Sequence, residues 1–75
     1  METTTYQIKV FDVIYVDPDR WLVLADTQAV DVSDNKPAAV ELARKMALAS
    51  RPSRLVVRAI DGEIESVTPF EHDGC

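Results

Sequence analysis

Only one stretch of this sequence carries the helical period, and it lies between segments that carry the strand period. Ala39, Leu42, Ala43, Met46 and Ala47 recur at offsets of 3, 4, 7 and 8 residues, which places them on one stripe of a helix. A lone helix with one apolar stripe must bury it against another element, and here the only candidates are strands. Three of the five stripe residues are alanine, so the helix axis can lie close to a sheet. The chain is thereby directed to an α+β fold: a mainly antiparallel sheet with one face covered by a single helix.

The helix boundaries are marked chemically. Ser33-Asp34-Asn35 precedes it, with Asn35 the preferred N-cap and Pro37 in the first turn, where its missing donor costs nothing. Ser50-Arg51-Pro52-Ser53 stops it. On its outer side Glu41 stands four residues before Lys45, a pair worth about 0.2–0.5 kcal/mol.

Tyr6–Val16 reads as the first strand, since Tyr6, Ile8 and Val10 alternate with polar residues. Its phase then slips, because Phe11, Val13 and Tyr15 have the opposite parity. Either a bulge near Val10–Asp12 or a strand buried on both faces accounts for the slip. Asp17-Pro18-Asp19-Arg20 supplies a turn. Trp21–Ala25 and Ala29–Val32 continue as strands of an antiparallel meander, with a tight turn near Asp26-Thr27-Gln28. Beyond the helix, Arg54–Ile60 and Glu63–Thr68 form a hairpin around Asp61-Gly62, for which the expectation is a type I′ turn. The order is β-β-β-α-β-β.

Seventy-five residues suffice for one domain, 1–75, with an ordered core over about 6–70 and flexible ends. A chain this short buries only about 60% of its unfolded surface. Its apolar fraction of 47% nevertheless argues against disorder. The single cysteine, Cys75, cannot form an internal disulfide, which is consistent with a reducing compartment. No apolar run reaches spanning length and no signal-peptide pattern opens the sequence, so a cytoplasmic location is expected.

From Trp21 to Thr68 the sequence resembles a family of small bacterial domains known as domain of unknown function number 2188. The residues that carry the likeness are Trp21-Leu22-Val23, Ala39-x-x-x-Ala43, Leu55-Val56-Val57 and Asp61-Gly62-Glu63-Ile64. The resemblance implies a compact two-layer α/β domain, and it lends no catalytic residues.

A search for chemistry agrees with that implication. His72 and Cys75, the only histidine and cysteine, lie in the C-terminal tail with Asp73, short of the four rigid ligands of a structural zinc site. Asp17/Asp19 and Glu63/Glu65 are spaced carboxylates with no neighbouring base to divide acid and base roles between them. Gly62 and Gly74 are the only glycines, so there is no glycine-rich phosphate loop. No enzyme activity and no cofactor are expected.

Charge and aromatics then nominate surfaces. The net charge is −5, yet Lys36, Arg44, Lys45, Arg51, Arg54 and Arg58 face Glu41 alone in the central stretch. The leading expectation is a non-enzymatic interaction or accessory protein, bound to another protein or to itself, with Trp21 either anchoring the core or forming a hot spot. Leu48, nearly opposite the apolar stripe, joins the basic residues as a possible contact. One alternative is nucleic-acid binding, if Arg44, Lys45, Arg51, Arg54 and Arg58 converge on phosphates. Another is a small-molecule binding domain.

Overall fold

The computed structural model describes residues 8–71. The elements follow as β1 (Lys9–Val16), β2 (Arg20–Ala25), β3 (Gln28–Ser33), α1 (Lys36–Ala49), β4 (Ser53–Arg58) and β5 (Ile64–Phe70). They form one five-stranded sheet in the order β3-β2-β1-β4-β5. Neighbours are antiparallel except at the centre, where β4 returns from the helix to run parallel to β1. The sheet is therefore mixed, and the expected β-β-β-α-β-β order with one helix-covered face is the observed one. The expectations that concern Tyr6, His72 and Cys75 lie outside the described residues.

The alanine stripe is the seat of the helix. Ala39, Ala43 and Ala47 are each wholly buried. Beneath them lie Phe11 and Val13 of β1, Trp21 and Val23 of β2, and Leu55 and Val57 of β4. The Asn35 side chain accepts from the Ala38 amide at 2.8 Å, satisfying a donor in the first helical turn. At the other end the Ser53 hydroxyl, itself buried, donates to the Ala47 carbonyl at 2.6 Å. That bond ties the last helical turn to the first residue of β4. On the outer surface Glu41 pairs with Arg44, three residues on, at 3.3 Å rather than with Lys45.

The phase slip in β1 has a cause other than a bulge. Register runs without a shift from Phe11 to Val16 against β2 and from Lys9 to Val13 against β4. Phe11 and Val13 point to the helix, while Val10, Asp12 and Ile14 point to the other face. β1 is apolar on both faces because it is the central strand. The two register shifts of the sheet fall instead at its outer ladders, beside Val23/Leu24 and Val57/Arg58.

The turns are also redistributed. Positive φ at both central positions occurs at Asp26 (49°) and Thr27 (72°), between β2 and β3. This two-residue connection has the type I′ signature. It is fastened to β1, where Asp26 donates its amide to the Val10 carbonyl at 2.9 Å and accepts from the Val10 amide at 3.0 Å. The Asp61-Gly62 connection has positive φ at Gly62 alone, and the Gly62 amide donates to the Ala59 carbonyl at 2.9 Å. Ala59 also donates its amide to Glu63 at 2.8 Å, so the connection is a longer loop closed by a left-handed glycine.

Two stability measurements check this packing. Ala43→Leu inserts three carbons beneath the helix and should cost about 1–3 kcal/mol in urea unfolding. An unchanged midpoint would contradict the close seat. Thr27→Gly removes a β-branched side chain from left-handed backbone and should gain about 1 kcal/mol in the same assay.

Candidate interaction surface

Register fixes what stands on the sheet face away from the helix. Asp12 lies between Leu24 on β2 and Val56 on β4, and Val56 in turn faces Val67 on β5. One step further along, Ile14 faces Leu22, and Leu22 faces Val32 on β3. Arg58 faces Ile64 on the opposite flank. The result is two cross-strand rows of mostly apolar side chains that no described element covers.

The burial pattern separates this face from the core. Val56 is buried to 7% exposure but does not belong to the cluster beneath the helix. Ile14, Leu22 and Leu24 are half-buried by their neighbours in the sheet. Towards the rim exposure rises to 47% at Val32, 48% at Val67 and 55% at Ile64. With strands about 4.8 Å apart and same-face residues about 6.8 Å apart, the footprint is roughly 400 Å².

One ion pair interrupts the apolar rows. Arg58 Nε donates to Asp12 Oδ1 at 3.3 Å, and its Nη1 donates to the Gly62 carbonyl at 3.1 Å. The two side chains keep 34% and 20% of their exposure, so the pair is only partly screened by solvent. It neutralises a carboxylate in the middle of an apolar surface, and it ties the β4–β5 loop to β1.

The residues singled out from sequence do not gather in one place. Arg44, Lys45 and Leu48 occupy the outer side of α1, with Leu48 40% exposed. Arg51 follows the C-terminal end of the helix. Arg54 and Arg58 project from the opposite side of the domain, on the uncovered sheet face. The basic centre of the sequence is thus divided between two surfaces that face away from each other.

Trp21 takes the core role. It is 8% exposed, meets the Tyr15 ring edge-on at 5.2 Å, and lies beneath the Lys36 ammonium, 5.1 Å from the ring centroid. Lys36 is also paired with Glu65, the residue displaced by the β5 bulge. An open cleft of about 490 Å³ lies beside these groups, continued by Ala59, Ile60 and Asp61. Its ammonium is already engaged by a carboxylate and a ring, which leaves little charge for a ligand. Among the described residues, no cluster of three or more potential metal ligands occurs, and no helix is long and apolar enough to cross a membrane.

Sequence reasoning did not select Leu22, Leu24, Ile14, Val56, Val32 or Val67 as a surface. Their signal was present as unbroken apolar runs, Trp21-Leu22-Val23-Leu24-Ala25 and Leu55-Val56-Val57. Such runs are ordinary for strands covered on both sides, and only the structure reveals that one side is bare.

Fold and surface together define a one-helix, five-stranded α+β domain with an open apolar sheet face. The chain belongs to the family described as uncharacterized protein conserved in bacteria (DUF2188), whose model matches residues 11–70. The match extends the resemblance seen from Trp21 onward to include most of β1. No curated protein and no solved structure matches the chain.

A double-mutant cycle measures what the central ion pair contributes. Asp12→Ala and Arg58→Ala should each destabilise the fold, with a coupling energy of about 0.5–1 kcal/mol in urea unfolding. Strict additivity would show that the two groups do not act as a pair.

Proposed function

We propose that this domain is a non-enzymatic interaction module that presents its uncovered sheet face to another protein surface. The observation that carries the reading is the contiguous apolar face built by Ile14, Leu22, Leu24, Val56, Val32 and Val67. A patch of roughly 400 Å² is of the size of the largest that a typical monomer exposes, and such patches are often functional. The three central strands have the composition of strands buried on both faces, whereas the described residues provide a single helix. A second cover is what the pattern calls for.

The nucleic-acid alternative draws less support. Tracking a phosphate backbone needs cations on one surface, and Arg44 and Lys45 stand on the far side of the domain from Arg54 and Arg58. Arg58 is moreover engaged by Asp12. The small-molecule alternative would rest on the cleft beside Trp21, where the Lys36 ammonium is already committed to Glu65.

Site-specific photo-cross-linking in cells tests the docking face. A photoreactive residue at Val67 should give a covalent adduct with a protein, whereas the same residue at Leu48, on the outer side of the helix, should give none. A chain left unmodified from Val67 would overturn the reading.

A further inference from the structure

We infer that the occupant of the open face is a second copy of this chain, placed by a two-fold axis parallel to β1. The inference rests on the docking-face reading above and names its partner. It starts from the symmetry of the strand order. β1 is the middle strand, with β2 and β3 on one side and β4 and β5 on the other. A two-fold axis parallel to β1 therefore lays one sheet wholly over the other, β2 over β4 of the second copy and β3 over β5. Both helices remain outside, and the product is a four-layer α-β-β-α sandwich.

Side chains match under this operation. Leu24 comes over Val56 of the second copy and Val32 over Ile64, while Leu22 comes over Arg58, whose guanidinium is held by Asp12. β1 lies against itself, which brings Val10, Ile14 and Val16 beside their own symmetry mates. The Asp12–Arg58 pairs of the two copies fall together near the axis, each carboxylate already accompanied by a guanidinium. Sheets packed face to face stand about 10 Å apart, the depth that two layers of such side chains fill.

Charge is complementary at the corners. Arg54 on β4 and Asp26 at the end of β2 flank Val10 at the same level of the sheet. Laying β2 over β4 brings the exposed Asp26 carboxylate of one copy, which Lys9 of its own chain approaches at 3.8 Å, over Arg54 of the other, twice per dimer. Arg20, which begins β2, comes over the loop that carries Asp61.

Two footprints of roughly 400 Å² each bury about 800 Å² in all, the size of a weak, reversible interface, so the dimer is expected towards the upper end of the concentration range.

Sedimentation velocity of the full chain from micromolar to millimolar concentration decides the matter, with variants read alongside. The wild type should form a dimer. Leu24→Glu buries an unpaired carboxylate in the joint and should raise the dissociation constant about 100-fold. Val67→Lys, at an exposed edge position that the fold tolerates, should weaken it in the same direction, with circular dichroism verifying that both variants are folded. In a Cys75→Ser background, Ile14→Cys should be joined into a covalent dimer by a short bis-maleimide, and Leu48→Cys should not. A monomer throughout the range overturns the inference, as does a dimer indifferent to Leu24→Glu and Val67→Lys. A monomeric chain that still cross-links from Val67 to a different protein would overturn self-association alone. Absence of both dimer and cross-link would remove the docking face itself.

Discussion

The close seat of α1 on the sheet governs the rest of the structure. Ala39, Ala43 and Ala47, one turn apart, leave no side-chain bulk between the helix backbone and the side chains of β1, β2 and β4. Because the helix lies low, the chain emerging from it can enter the sheet directly beside β1. The buried hydroxyl of Ser53 holds that exit by bonding the Ala47 carbonyl, and β4 then pairs in parallel with β1. The parallel centre, the middle position of β1 and the placement of β5 at the edge all follow from this one connection. A bulkier stripe would raise the helix and lengthen the path into β4.

The elements were legible in the sequence because their signals are local. Asn35 as N-cap, Pro37 in the first turn and the alanine stripe all depend on neighbours a few residues away, and each holds in the structure. The turn types were less legible. Asp61-Gly62 has the composition of a type I′ turn, yet the bonds between Ala59 and both Gly62 and Glu63 close a longer loop. Asp26-Thr27 takes the I′ geometry although threonine resists it, since the Val10 amide and carbonyl hold Asp26 in place. Tertiary bonds overrode local preference at Asp26-Thr27, whereas at Asp61-Gly62 the competing bonds are themselves local.

The surface was the least legible part, for a physical reason. A hydrophobic pattern records which residues avoid water, not which cover they use. The parity slip at Val10–Phe11 and the unbroken runs in β2 and β4 are the trace of a second apolar face, and from sequence they are indistinguishable from a bulge and an ordinary core. The basic residues misled in the opposite way. Proximity along the chain from Arg44 to Arg58 spans a helix and a strand, so the fold sends those side chains to opposite sides. Trp21, conspicuous as the single tryptophan, is spent on the core.

The same geometry bears on how the domain can associate. An open sheet has edges as well as faces, and free edges invite pairing. Here both are blunted. β3 carries a bulge, and the Asp31 carboxylate accepts from the Val32 amide at 2.8 Å. β5 carries a second bulge that turns Glu65 toward Lys36, and it ends near Pro69, which has no amide hydrogen to offer. The face bears no comparable device. Its charges are the Asp12–Arg58 pair at the centre and, toward the margins, Arg20, Arg54 and Asp26, an arrangement that leaves the apolar rows open. In the proposed association, a chain that guards its edges and leaves its face bare would pack side chains between layers and not add strands.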